Sequence, residues 1–470
     1  GTYTFYLDTP PVIPKGFVKE ADLKCDVPAQ AAGQDTYSWG INGKTANVVA
    51  IGLPSGQSIA ANVVTSIGPT VVVVTSSLNV SLDPSSPALA LAQAGIEVQV
   101  AAFRLFATNE AIDVKQMAFK LSNANLNSPQ DIVLVSLWDG AIKVGQVAAT
   151  SSDTGLIMQT SGLAIPANGD RVVTLKAELA LIAANGPGHP GNQITLDWDQ
   201  VNVNGLAASY GVGLISGQTI YASGQDTQSE GVRMFRAYPT LAQFPLPSTS
   251  LNSGSNVLSR FSVSTPSGGN GISLYKFVFN IATSTPLGSP MPVTNFLLCA
   301  YSSSAFSGPV YSPTGQLNNG GLAPSGGIPD SPGGGCSGGP TGLTCDRDYA
   351  VYFNPANPVS AIPEAIAVPP GATYYFELRG NVSGAVSGSS VTTALLGDGV
   401  FSGIAPTQLP SANLLTPPAV DAFIDDDFIW SGNSTTTHSG ASGASGPDWS
   451  NSHLIPGLPA SGATPVTLTR

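Results

Sequence analysis

Apolar and polar residues alternate with a period of two in many short stretches of the chain. The alternation is clearest at residues 112–121 and again at 272–281. This period is typical of a β-strand that buries one of its faces. Clusters of Gly, Pro, Asn and Ser separate the stretches, and these residues favour tight turns over helices. The pattern therefore predicts an all-β protein.

An internal repeat organises the chain. A proline-led turn is followed, at the same distance along the chain, by a strand-like stretch in three places, 13–27, 165–179 and 368–382. A Gly-containing motif at 52–59 recurs at 213–220, and Trp39 and Trp198 precede the two copies at similar distances. Self-similarity of this kind is the sequence signature of a repeat architecture.

The repeat divides the chain into one incomplete unit, two full units and a tail. The predicted boundaries are 1–68, 69–228, 229–412 and 413–470. Each full unit offers about seven short strands separated by turns, which favours tandem immunoglobulin-like β-sandwich domains. The second full unit carries an insertion at 301–344, where Gly, Ser and Pro are so frequent that we expect a long surface excursion.

The first unit matches only the later strands of the repeat. Tyr3, Phe5 and Leu7 resemble a strand of the second full unit, and the earlier strands have no counterpart in residues 1–68. A partial sandwich exposes unpaired strand edges and an open core, which is unfavourable. Residues further upstream could supply the missing strands, or a neighbouring subunit could add them. Tyr3, Phe5 and Leu7 are accordingly predicted assembly residues.

The tail departs from the repeat, and we expect it to be extended. Phe428, Ile429 and Trp430 are followed by a long stretch dominated by Ser, Thr and Gly. Large apolar side chains joined by flexible polar linkers can anchor a chain on a neighbouring subunit. An arm packed on its own domain explains the same pattern, and both interpretations stay open.

The charge balance narrows the classes of partner. Charged residues make up 10% of the chain, and the formal net charge is −12. Nucleic-acid binding depends on Lys and Arg that neutralise phosphates, so we expect no nucleic-acid partner. No apolar run approaches the ~20 residues that cross a bilayer, and the chain is not predicted to span a membrane. A weakly charged, Gly- and Ser-rich β protein suits an extracellular, cell-surface location.

Catalytic chemistry has few candidates in this sequence. Histidine, the most frequent general acid or base, occurs three times, in a turn or in the irregular tail. The sequence has neither a nucleophile elbow nor a phosphate-binding loop. We therefore predict a protein that is not an enzyme and requires no cofactor. Asp425, Asp426 and Asp427 are candidate ligands of a calcium ion, because calcium prefers oxygen ligands such as carboxylates.

Two covalent modifications are suggested by local motifs. Cys336 and Cys345 flank a Gly/Pro-rich, hairpin-like loop, where a disulfide would restrain the chain. The acceptor pattern for N-glycosylation occurs at Asn79, Asn381 and Asn433. Asn433 lies in the predicted tail and is expected to be the most accessible of the three.

Three stretches of the sequence resemble a known group of proteins, and they lie at 231–240, at 165–169 and at 427–437 with 448–449. In them the chain resembles the secreted, repetitive β-rich surface proteins of ultra-small candidate-phyla bacteria of the Parcubacteria (Patescibacteria) type. The resemblance spans most of the chain. It implies a surface location and a structural use, and it carries no active-site residue.

The repeat and the resemblance together predict a structural subunit of an S-layer, sheath or pilus-like filament. Its partners would be other copies of the same chain, joined by strand completion and by tail contacts. The alternative is a cell-surface adhesin or glycan-binding protein, with cell-wall or surface glycans as partners. A fold of this kind does not decide between the two, because function resides in sites.

Overall fold

The computed structural model describes residues 2–27, 34–41, 48–122, 125–149, 156–183, 186–200, 209–318, 328–329, 336–339, 341–354, 364–404, 426–434 and 449–470. These residues form strands and turns, with a single 3-10 turn at Pro129–Asp131. The predicted all-β class is confirmed. Across the same ranges, no helix is long and apolar enough to cross a membrane.

Residues 2–75, which we call the N-terminal segment, contain two separate two-stranded sheets. Strand β1 (Thr36–Ile41) pairs with β4 (Ser66–Val72), and β2 (Val49–Ile51) pairs with β3 (Ser58–Ala60), both in antiparallel fashion. The described residues before β1, 2–27, form turns but no strand.

Residues 77–235, which we call unit 1, form a layered β-domain. Its strands are β5 (Ser77–Leu82), β6 (Ala90–Gln93), β7 (Glu97–Thr108), β8 (Ile112–Ser122), β9 (Ile132–Asp139), β10 (Ile142–Val147), β11 (Leu156–Ile165), β12 (Gly169–Leu179), β13 (Gln193–Trp198), β14 (Tyr210–Gly213), β15 (Thr219–Ser223) and β16 (Val232–Phe235). One layer runs β5-β7-β12-β9-β10 and the other runs β15-β14-β8-β11. Short contacts, β5 with β15 and β10 with β11, join these nine described strands into a closed ring, where the sequence predicts two separate sheets.

The core of unit 1 lies between the two layers, as the alternation predicts. Phe103 of β7 and Phe119 of β8 are both buried, and their ring centroids lie 5.6 Å apart. Burying an aromatic side chain contributes roughly 1.5–3 kcal/mol. Strand β8 pairs with β11 along one edge and with β14 and β13 along the other. It is therefore the central strand of its layer.

Residues 240–469, which we call unit 2, repeat this arrangement with longer connections. Its strands are β17 (Thr240–Gln243), β18 (Gly254–Ser264), β19 (Ile272–Thr285), β20 (Val293–Ser303), β21 (Ser307–Pro309), β22 (Ile328–Pro329), β23 (Cys336–Gly339), β24 (Gly342–Tyr352), β25 (Ile366–Val368), β26 (Thr373–Val382), β27 (Ser390–Leu395), β28 (Gly403–Ile404), β29 (Phe428–Ser431), β30 (Trp449–Ser450) and β31 (Val466–Thr469). One sheet runs β17-β18-β26-β20-β21, and the other is built around β19. The aromatic rings of Phe261, Phe277 and Phe376 meet between the sheets.

The predicted tail supplies strands to unit 2. In unit 2, β29 and β30 take the places that β14 and β15 hold in unit 1. Trp430 of β29 pairs with Leu274 of β19, just as Gly211 of β14 pairs with Val114 of β8, and the register shift beside each pair falls at the same position. The prediction of an extended tail is wrong for these residues, because pairing with β19 provides ladder hydrogen bonds that an extended arm would lack.

Strand β31 closes unit 2 in the way that β16 closes unit 1. Leu468 pairs with Val391 in unit 2, and Val232 pairs with Ile194 in unit 1. Because β16 pairs with β13 and with β6, unit 1 extends to Phe235, beyond the boundary predicted after residue 228.

The predicted insertion at 301–344 is only partly a surface excursion. Leu317 is fully buried in the core of unit 2, and its N–H donates to the carbonyl of Leu298 at 2.8 Å. The end of the stretch belongs to β23 and β24, and β24 pairs with β19. This Gly-rich stretch therefore contains a buried core residue, Leu317, and part of the β23–β24 hairpin.

Candidate assembly site

The N-terminal segment repeats local structures of both complete units. The proline-led turn is present at Pro14, at Pro166 and at Pro369. In each copy, the N–H three residues after the proline donates to the proline carbonyl at 3.0–3.1 Å. The residue two positions after the proline has a positive φ in every copy, and it is Gly16, Asn168 or Gly371. Left-handed backbone of this kind favours Gly and Asn.

The hairpin β2–β3 is a copy of the hairpin β14–β15. The N–H groups of Gly52 and Gly213 each donate to the carbonyl five residues later, at 2.9 Å. Gly56 and Gly217 occupy the same place in the two turns, with φ of 63° and 65°. The sequence motif that repeats at 52–59 and 213–220 therefore encodes one turn geometry.

The N-terminal segment differs from the complete units at the central strand. In unit 1, β8 lies beside both β13 and β14, and in unit 2, β19 lies beside both β27 and β29. The equivalents of β13 and β14 in the N-terminal segment are β1 and β2. No described residue forms a strand between them, so one sheet is divided into two. We call this place the strand gap.

The same absence accounts for residues 2–27. In unit 1, β11 pairs with β8 and β10, and β12 pairs with β7 and β9. All of these partners belong to the first half of a unit. The prediction that Tyr3, Phe5 and Leu7 form part of a strand is wrong, because residues 2–27 have no described ladder partner. Their side chains are exposed, and the ring centroid of Tyr3 lies 5.5 Å from that of Trp39.

Apolar side chains are exposed around the strand gap. Trp39 is 38% exposed, whereas Trp198, its counterpart on β13, is 0% exposed and pairs with Phe119 of β8. Ile51, on the edge strand β2, is 63% exposed. Clusters of exposed apolar residues beside unpaired strand edges mark sites of chain association.

Unit 1 also shows what the turn between β7 and β8 contributes to the hairpin turn. Glu110, between β7 and β8, accepts hydrogen bonds from the N–H groups of Ile215 and Ser216 at 3.0 and 2.9 Å. Burial acts to raise the pKa of Glu110, but these N–H groups and the hydroxyls of Ser76 and Ser216 outweigh it and lower the pKa below its ordinary value. The corresponding turn of β2–β3 lies at Pro54 and Ser55.

No protein-family model and no curated protein matches the sequence. Among solved structures, the C-terminal domain of the AgI/II polypeptide BspA of Streptococcus agalactiae is 7% identical, covering 68% of this chain and 95% of that one, with a TM-score of 0.15. The serine-rich repeat protein Srr2 of Streptococcus agalactiae is 11% identical, with 68% and 87% covered and a TM-score of 0.15. The collagen adhesin of S. aureus is 9% identical, with 67% and 85% covered and a TM-score of 0.11. At these TM-scores the similarities carry no argument about function.

The second set of predicted assembly residues lies inside unit 2. Phe428, Ile429 and Trp430 are at most 2% exposed. The ring of Phe428 stacks on Phe277 with centroids 4.6 Å apart, and the indole N–H of Trp430 donates to the carbonyl of Asn451 at 2.6 Å. The prediction that they contact a neighbouring subunit is wrong, because the chain's own core buries them. The structure shows the other interpretation, an arm packed on its own domain.

The predicted calcium ligands are only partly described. Asp425 lies outside the described residues. Asp426 accepts a hydrogen bond from the Lys276 ammonium at 2.9 Å, and the N–H of Asp427 donates to the carboxylate of Asp398 at 2.9 Å. Among the described residues, no group of three or more His, Cys, Asp or Glu side chains is placed to hold a metal ion. The described part of the triplet thus ties β29 to β19, and calcium binding stays a prediction.

The structure joins Cys336 and Cys345 in a disulfide at the end of the β23–β24 hairpin.

The three predicted glycosylation acceptors differ in accessibility. Asn79 is exposed on β5, and Asn381 is half-buried on β26. Asn433 is half-buried, and its side-chain oxygen accepts from a hydroxyl of β19 at 2.8 Å. Asn79 is therefore the most accessible of the three, and not Asn433.

Proposed function

We propose that the protein is a non-catalytic structural subunit of an extracellular assembly, and that a strand from a neighbouring subunit fills the strand gap. The observation that carries the proposal is the β2–β3 hairpin, whose turn repeats the backbone hydrogen bonds of the β14–β15 turn, while no described strand flanks it on either side. The incoming strand would resemble β8, with alternating apolar residues. It would pair with β1 and β2 and cover Trp39.

The donor strand must be free of other pairing. Strands β8 and β19 are each paired along both edges within their own units. A neighbouring subunit therefore donates a strand that its own units do not use, and the complete units do not exchange strands.

We also propose that the units are immunoglobulin-like, because β5-β7-β12-β9 and β15-β14-β8 reproduce the sheet orders A-B-E-D and G-F-C of that fold.

A strand peptide tests the proposal directly. The full chain is titrated with a peptide of residues 112–122, and a peptide of the same composition without the alternation serves as the control. We expect saturable binding of the first peptide only, with slower amide hydrogen exchange in β1, β2 and β3. Light scattering on the full chain alone should show association that rises with concentration.

Two variants test whether the incoming strand pairs with β2. Ile51→Lys puts a charge on the unpaired edge of β2, and Ile215→Lys puts the same charge on an exposed turn of unit 1. We expect Ile51→Lys to abolish association and peptide binding, and Ile215→Lys to leave both unchanged. A chain that stays monomeric and ignores the β8-type peptide would overturn the proposal. A monomer that binds the peptide would instead place the donor strand in the same polypeptide.

A further inference from the structure

A cavity of about 490 Å³ lies at the joint between unit 1 and unit 2. Unit 1 contributes the loops before β9 and before β13, together with Arg233 of β16. Unit 2 contributes the loop that carries Phe401 and the turn that carries His453. Cavities of roughly 300–1,000 Å³ with a few converging polar groups are the usual form of small-molecule sites.

The joint itself is tightly packed, so the cavity walls are held in place. Phe235, the last residue of β16, is buried in the core of unit 2 with its ring centroid 4.8 Å from Trp430. Its carbonyl accepts from the N–H of Ala94 in unit 1 at 2.8 Å. One residue thus belongs by hydrogen bonding to unit 1 and by packing to unit 2.

Arg233 is a buried cation in the cavity wall. It is 7% exposed, and its Nε atom has no hydrogen-bond partner. One terminal nitrogen donates to the carbonyl of Gly191, and the other donates to the side-chain oxygen of Gln193 at 3.0 Å. The guanidinium lies 3.7 Å from the ring centroid of Phe401. All these partners are neutral, so they leave the positive charge uncompensated.

The carboxylates near the cavity are already engaged. Asp131 accepts from the side chain of Asn192 at 2.7 Å and from His189. Asp398 accepts from the N–H and the hydroxyl of Ser452 at 2.7 and 2.6 Å. Within the described ranges, Arg233 forms no ion pair, and desolvation alone lowers the pKa of its guanidinium, to about 10. It therefore stays protonated at neutral pH.

His453 adds a second nitrogen-bearing side chain to the wall. Burial lowers the pKa of its imidazole and the charge of Arg233 lowers it further, although hydrogen bonds to the backbone of Asp398 and Gly399 and the charge of Asp398 oppose this. A neutral imidazole can donate one hydrogen bond without adding a charge. His453 therefore adds no full positive charge to that of Arg233.

We propose that this cavity binds a small carboxylate, which pairs with Arg233. A buried charge without a partner is costly, and a carboxylate can accept from Nε and a terminal nitrogen together in the planar geometry that guanidinium groups favour. The equivalent of Arg233 in unit 2 is Thr469, which occupies the same register position beside β27. The repeat therefore does not require an arginine here, and the residue is specific to the joint. This proposal is independent of the strand gap.

The test uses the full chain with three small probes. D-glucuronate presents a carboxylate on a sugar ring, glucose presents the same ring without it, and N-acetylglycine presents a carboxylate like that of a peptide end. We expect the thermal unfolding temperature to rise with glucuronate or N-acetylglycine and not with glucose, because a ligand that binds only the folded state stabilises it. The stronger of the two acids identifies the source of the carboxylate.

Variants assign the binding to Arg233. Arg233→Met should weaken binding of the better acid about ten- to a hundredfold, in line with charge-assisted hydrogen bonds, and Arg233→Lys should weaken it less. Arg171→Met, at an exposed arginine of β12, is the matched control and should bind as the native chain does. A native chain that neither acid stabilises more than glucose does would overturn the proposal, and this comparison requires no variant to fold. Unchanged acid binding by a folded Arg233→Met variant would also overturn it.

Discussion

Asp426→Asn should destabilise unit 2 strongly, because it removes a carboxylate charge that is paired with the buried Lys276. Lys276 lies in the middle of β19 and is 0% exposed, and its ammonium nitrogen is 2.9 Å from a carboxylate oxygen of Asp426. Removing one member of a buried pair costs about 3–5 kcal/mol, since the other charge keeps its desolvation penalty. For a domain of 150–250 residues, 1 kcal/mol corresponds to about 2–4 °C in Tm, so we expect a decrease of roughly 6–20 °C.

Calorimetry on the full chain can separate the two units. The core of unit 1 does not include Lys276 or Asp426, so its transition should stay in place while that of unit 2 moves. The double variant Lys276→Gln with Asp426→Asn is the control, because Gln116 occupies the equivalent position on β8. It should recover most of the lost stability. A decrease within about 2 °C for Asp426→Asn, or a double variant no better than the single one, would refute the reasoning.

Two further predictions concern stability. Glu110→Gln should lower the Tm of unit 1 at neutral pH. Folding lowers the pKa of Glu110, so the carboxylate contributes its full stabilisation above the ordinary pKa of 4.5. That stabilisation is lost as the pH falls through the pKa of the folded state. The difference between variant and native chain should therefore vanish in acid, and a difference that is constant with pH would contradict the prediction. Replacing Cys336 and Cys345 by Ser should speed amide exchange in the β23–β24 hairpin and lower the stability of unit 2 by at most about 3 kcal/mol, because the hairpin end can open locally. Unchanged exchange in the hairpin would count against a restraining disulfide.

The local structures could be predicted from the sequence because they depend on short-range chemistry. The proline-led turn and the Gly52 and Gly213 turns each require a residue with positive φ at a fixed place, and Gly or Asn is found there. The central strands β8 and β19 show the period-two alternation in two stretches each, separated by a change of phase at Gln116 and at Lys276. The repeat also predicts that residues 1–68 match only the later strands of a unit, and this stays a prediction.

The long-range pairings could not be predicted in the same way. Strand β29 is only four residues long, and its sequence has no similarity to β14, so nothing local shows that both occupy the same edge of the central strand. The sequence does not mark Arg233 as a binding residue, for a related reason. Its neighbours Phe401 and His453 are far away in the chain, and a single arginine in an apolar strand carries no motif.

Two of the connections that differ in length between the two units show where insertions are tolerated. Strand β11 of unit 1 is continuous, whereas β24 and β25 divide its role in unit 2, and the break falls where β11 has a register shift against β8. The second difference lies between β13 and β14, whose counterparts β27 and β29 are separated by a much longer connection. Insertions are tolerated where a strand already leaves its ladder, since no hydrogen bond has to be given up. The central strand has no such place in either unit, because it pairs on both edges. That is why the sheet of the N-terminal segment, where no described strand takes the central place, is divided, while much longer changes in unit 2 leave the fold intact.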